Sequence, residues 1–423
     1  MTDNPFTDIE IGRLKQAAEL LLKAEERLPV LRALNWDRSL SDRFFASGGK
    51  EPPRPVYQKI DAGPSLAAVG EARSLIDGSS AVHIWLRRMA DVIAQTAALL
   101  AAVGTRDFYA HSVALYGAPT SPIADGKRTA LELARRLDSL LTGFDDGGKK
   151  LEARERFSAE ALKARLDQAL PDHFGAEAPR VEVTKNVSAK AAAGPDYVKL
   201  RADALFSDLD FRQILQHEAL VHIASAKNGA AQAHFPILAE SHPGNARTQE
   251  GLAVFAEFIS GSLDPARFKR LADRVIAIDM AASGADFMEL YNFFRERSTA
   301  DAPFESFESA RRVVRGGLVE GGAPFTKDSV YLQGLLEVHN YLRAAVAKGD
   351  AAYVRLLFVG KFDLADLEAM KMLKAAGLLS PPRYLPPWAV DLRVLISYLA
   401  YSTFLNEIKI SDVAAKYERL FSG

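Results

Sequence analysis

Cysteine is absent from the 423 residues. A disulfide framework and a thiolate metal site are therefore excluded, and any bound metal must rely on His, Asp or Glu. A dominant charge is missing as well. Lys plus Arg number 53 and Asp plus Glu 54, a balance that gives no global footing for nucleic acid or an anionic membrane surface. Long apolar runs are lacking: residues 97–103 and 389–399 are too short or too interrupted to span a bilayer. Residues 1–10 are polar and acidic, without the basic and apolar regions of a secretory leader. Together these absences lead us to expect a cytoplasmic protein with neither a membrane nor a nucleic-acid partner.

What is present is an ordinary globular composition, 48% hydrophobic and 25% charged, long enough for a large core and one to three domains. Ile11, Leu14, Ala18, Leu21 and Leu22 recur at helical spacing within residues 9–34. Residues 47–64, rich in Gly and Pro, read as an extended connector. Helical patterns return at 81–102, 107–116, 127–142 and 159–169, with the charged run 145–150 as an exposed loop. Near Pro179 the period changes. Val181, Val183 and Val187 alternate with polar residues, Gly194-Pro195-Asp196 reads as a turn, and 197–202 alternate again. This predicts a β-hairpin, followed by a long helix over 208–227. Further helices are expected at 248–261, 265–282, 286–297, 327–348, 364–376, 390–405 and 410–421. The expected fold is α+β and predominantly helical, with a small β-sheet preceding the long helix. Its two regions are a mostly helical one over 1–178 and one over 179–423 that holds the sheet, the long helix and a helical C-terminal part.

The informative stretch is His217-Glu218-Ala219-Leu220-Val221-His222. In the familiar zinc-peptidase motif two His four residues apart share one helix face, with a Glu between them. Here they are five apart, a step that turns about 140° on a regular α-helix. Both rings reach one ion only if the helix is locally widened, so a π-bulge between His217 and His222 is expected. Zinc needs a third protein ligand. Glu250 opens the next helical pattern, beside Gly251, which removes a side chain where helices must approach. Glu257, on roughly the same face, is the second candidate, as ligand or as the group that orients a His ring. His234 and His242 in the intervening loop are candidates for a ligand or a transition-state donor. The competing reading is a satisfied structural His pair.

His217-Glu218 with His222, followed by Gln249-Glu250-Gly251-Leu252-Ala253, resembles the QEGLA-motif proteins. These include bacterial modulators of flavohaemoglobin expression and are related to the microtubule-associated tyrosine carboxypeptidases, which remove the C-terminal Tyr of α-tubulin. Gly104-Thr105-Arg106-Asp107-Phe108, Leu115-Tyr116-Gly117, Ser188-Ala189-Lys190-Ala191 and Phe325-Thr326-Lys327-Asp328 with Tyr331-Leu332 and Gly334 look similar to the same family. The similarity runs over roughly 34–343. The resemblance implies a zincin-like (gluzincin-type) metallopeptidase core and one Zn2+ per chain. It also implies His217, His222 and Glu250 as ligands and Glu218 as the catalytic carboxylate. No feature of the chain points to microtubule binding.

The implied chemistry is hydrolysis of a C-terminal residue from a peptide or protein tail, with Glu218 as general base toward water activated by the metal. Tyr331, Lys327 and His242 are candidate donors to the developing oxyanion, in that order. Lys199 and Arg201 lie on a strand that, at a sheet edge, holds an extended peptide. Arg315 leads the candidates for a carboxylate clamp, ahead of Arg311, Arg312 and Lys327. Gly316-Gly317 and Gly321-Gly322 bound a mobile loop or a turn. Phe44-Phe45 and Phe293-Phe294 are assigned to the core. Rival readings are another amide hydrolase or an aminopeptidase with the same metal, and a non-catalytic regulatory binding protein with a structural or vestigial metal site.

Overall fold

The computed structural model describes residues 6–123, 126–142, 156–185, 187, 189–298 and 302–417. The charged run 145–150 lies outside them. Helix α1 (Asp8–Glu25) starts at Thr7, whose hydroxyl accepts from the Glu10 amide, and buries Leu14, Ala18 and Leu21. It stops at Glu25, short of the expected 34, because Pro29 cannot continue it; only Val30–Ala33 resume the turn. The Gly- and Pro-rich stretch is extended as expected, but it ends earlier, where Pro64 starts an unforeseen helix, Gly63–Leu75.

Helix α2 (Ala159–Phe174) packs Leu162, Leu166 and Leu170 against the sheet. The expected hairpin is corrected. Strands β1 (Arg180–Thr184) and β3 (Tyr197–Arg201) run parallel, with Val181 beside Val198 and Val183 beside Leu200. The antiparallel neighbour is β2 (Ala191–Ala193), and the order is β1-β3-β2. The chain reverses twice between the two Val-rich segments, so they lie side by side in the same direction. β3 is therefore central, and its main-chain groups are used on both sides. The expectation of an edge at Tyr197–Arg201 is overturned.

Helix α3 follows in three parts, Asp208–Ile214, Leu215–Ile223 and Ala224–Ala230. Ser207 and Asp210 form a capping box at its start. The remaining frame of the site is α4 (Pro243–Ile259), α5 (Pro265–Ala282), α6 (Pro303–Val314) and α7 (Val330–Lys348), with α8 (Arg393–Leu405) packed on α7. α4 and α7 cross backbone to backbone. A Cβ on Gly251 would lie 2.2 Å from the Gly334 carbonyl carbon, and one on Gly334 would lie 2.1 Å from the Arg247 oxygen. Gly251 does allow a close helix approach, and its partner is α7.

One apolar core joins Leu14, Trp85 and Phe108 to Phe255, Leu342 and Leu399, crossing position 178. A second is aromatic, built on Trp36, Phe44, Phe287 and Phe307, and it includes the expected Phe44 and Phe294. Among the described residues no helix is long and apolar enough to cross a membrane.

Candidate metal centre

Between Leu215 and Ile223 helix α3 opens to π pitch, as the five-residue His spacing requires. The wider turn brings the imidazoles of His217 and His222 onto one side, with ring centroids 4.9 Å apart. Ala219, Leu220 and Ile223, on the other side, are buried in the cluster that holds Val198 and Leu200 of β3. The helix is thus pinned by apolar contacts on its sheet face and offers imidazoles from the other.

Glu250 enters from α4. Its Oε2 lies 3.5 Å from Nε2 of His217 and 3.5 Å from Nε2 of His222. Its Oε1 accepts from Lys327 Nζ at 2.9 Å. Oε2 itself is buried and receives no hydrogen bond. A buried acceptor without a donor is costly. Two imidazole nitrogens and one carboxylate oxygen, all within 4.8 Å of one another, fit a divalent cation of the kind that imidazole and carboxylate bind.

The second nitrogen of His217 is also committed. Nδ1 lies 2.7 Å from Glu257 Oε1, which leaves Nε2 as the atom that faces Glu250. Glu257 is fully buried, and Arg267 donates to both its oxygens at 2.9 and 3.0 Å. Burial opposes charge on Glu257, but Arg267 and then His217 hold its pKa down to about 2. Burial likewise opposes a charged His217, yet Glu250 and Glu257 together push it up to about 10. Burial also works against an ionised Glu250, and Lys327 followed by the two imidazoles keeps it well below the usual carboxylate range.

A layer of cations surrounds this centre. Arg312 donates to both oxygens of Asp328 at 2.7 Å, and Arg274 lies 3.7 Å from the same carboxylate. Arg274 and Lys327 both sit over the Tyr331 ring, at 5.3 and 5.4 Å from its centre. Arg315 is buried over the Phe325 ring, and its Nε has no partner. Burial, then the neighbouring Arg312 and Arg311, lower its pKa to about 9. The segments resembling the family hold this layer in place. Gly104 N donates to Gly316 O at 2.9 Å, and Ser112 and Thr326 bond to each other through three contacts. A Cβ on Gly317 would lie 1.7 Å from Ala323 O, so the paired glycines form a tight packed turn.

Several expected roles change. Lys327 is the ion-pair partner of Glu250. His242 caps α4: its Nδ1 accepts from Gly244 N at 3.1 Å, and burial, then Arg88 and Lys361, push its pKa down to about 3. Arg201 is engaged by Asp203 and Glu305, each at 3.0 Å, and Lys199 lies over Tyr197. Arg311 pairs with Glu308 and Asn35. His234 Nδ1 is buried without a partner. Half-buried Glu218 and Glu250 act electrostatically on Lys361, which sequence reasoning missed. Burial lowers its pKa to about 8 against the pull of Glu240, Glu250 and Glu218, and its Nζ donates to Ser241 Oγ. Arg267 was missed too. Its signal was a cation in the first turn of α5, where the helix dipole disfavours one.

The matched family defines a class, the carboxypeptidase-type peptidases, and with it an enzyme. The chain belongs to the microtubule-associated tyrosine carboxypeptidase family, whose model matches residues 42–407. No curated protein matches it significantly.

Proposed function

We propose that this protein is a zinc-dependent carboxypeptidase that removes the C-terminal residue of a peptide or protein tail. His217, His222 and Glu250 would hold one zinc ion in a zincin-like site. The reading rests on one observation: three ligand atoms from two helices converge within 4.8 Å, and one is a buried carboxylate oxygen without a donor.

When bound, zinc supplies Lewis acidity and lowers the pKa of water at its open position. Glu218, next to His217 in the chain, would take a proton from the attacking water and return it to the departing amine. The Tyr331 hydroxyl is the donor we assign to the developing oxyanion, since Lys327 is committed to Glu250. Arg315 would receive the tail carboxylate, which would supply the buried guanidinium with a counter-charge. An extended substrate would pair with β2, the sheet edge on the side of the metal helix.

Peptides with free and amidated C-termini test the reading. Amidation should lower kcat/KM by about 10- to 100-fold, the worth of a charge-assisted pair, and Arg315→Met should erase that preference. Equal cleavage of both peptides by the native chain would contradict a carboxypeptidase.

A further inference from the structure

Exposed apolar side chains are not scattered evenly. Of the 16 large ones among the described residues, eight fall between Val390 and Ile410, so this end of the molecule calls for an explanation. Helix α8 is at its centre. It covers α7 with Leu395 and Leu399, and Tyr398 bonds His339 across that contact at 3.3 Å. Its other face is apolar too. Val394, Tyr401 and Phe404 are 65%, 63% and 58% exposed, and no charged residue occurs from Val394 to Leu405. A helix apolar on both faces is normally covered on both.

We propose that the free face of α8 is a homodimer interface, with the helix lying antiparallel against its own copy. Val394, Ser397, Tyr401 and Phe404 follow steps of three, four and three, the seam spacing of paired helices. About a two-fold axis, Phe404 of the second copy falls opposite Val394, and Tyr401 of the second copy opposite Ser397. Each large side chain then meets a small one. Val390 and Ile408, beyond the helix ends, are exposed as well. A parallel pair would instead set Phe404 on Phe404 and Ser397 on Ser397. Charge supports a self-partner. Asp391 and Arg393 flank one end, Glu407 and Lys409 the other, and the antiparallel arrangement brings Arg393, which also pairs with Asp391, near Glu407 of the second copy. This rim lacks the Lys and Arg excess that favours a membrane surface.

Sedimentation equilibrium of the full chain should show a dimer with Kd in the micromolar range or below. Tyr401→Asp with Phe404→Asp should raise Kd at least about 100-fold while keeping the unfolding midpoint of the monomer. Because the native chain has no cysteine, the register can be read directly: Val394→Cys with Phe404→Cys should form a covalent dimer on oxidation, and either single variant should not. A monomeric native chain, cross-linking by the single variants as efficient as by the pair, or flotation of native chain with phosphatidylcholine or phosphatidylserine vesicles would each overturn the proposal.

Discussion

Two buried regions meet along α6 and follow opposite physics. One side of that helix adds Phe307, Ala310 and Val313 to the aromatic cluster, where Phe44, Phe287, Tyr291 and Phe307 pack with ring centroids 4.9–6.4 Å apart. The other side sends Arg312 toward Asp328, and the helix ends in Arg315. Aromatic burial stabilises the chain through apolar area and edge-to-face contacts. The charged layer sets Arg267, Arg274, Arg312 and Lys327 against the carboxylates Glu250, Glu257 and Asp328, and adds buried Arg315, whose Nε has no partner. Desolvation makes such a layer costly. Under the proposed function, the aromatic side carries stability and the charged side carries chemistry.

Three substitutions would break or sharpen that division. The largest effect is expected from Glu218→Gln, which should lower kcat by about 10²- to 10⁴-fold. Its metal content and unfolding midpoint should stay native, and a variant that still hydrolyses at the native rate would remove Glu218 from the mechanism. Next comes Phe44→Ala in the aromatic cluster, expected to cost about 3–5 kcal/mol in urea unfolding. At low temperature its kcat/KM should remain native; a selective loss of activity would show that the two regions are not separable.

The smallest effect concerns Glu25, buried at the end of α1 with Oε2 unpartnered. Burial, then Glu240, raises its pKa from 4.5 to about 8. Between these values the folded chain binds the proton more tightly than the unfolded chain does. Stability therefore falls as pH rises through that window, with the full loss reached above pH 8. Glu25→Gln should remove this slope and be the more stable chain at alkaline pH. Urea unfolding on both sides of the window measures it, and parallel pH profiles for the two chains would contradict the assignment.

Much of the centre was legible in the sequence because its geometry is local. The five-residue step from His217 to His222 demands a widened turn, and Gly251 beside Glu250 signals a close helix crossing. Strand pairing was less legible. β2 consists of Ala191–Ala193, small residues with little strand preference, so the parallel partnership of β1 and β3 could not be told from a hairpin. Helix α6 escaped notice because its apolar residues Phe307, Ala310 and Val313 are interleaved with Arg311 and Arg312, whose partners Asn35, Glu308 and Asp328 include two distant in sequence. The roles of Lys327 and His242 also depended on contacts that only the fold creates.

Zinc titration of metal-stripped chain, followed by calorimetry, tests the central claim most directly. The account predicts one site per chain, lost on His222→Ala and weakened about 10- to 100-fold by Glu257→Gln. Absence of binding, or binding undiminished by His222→Ala, would contradict it.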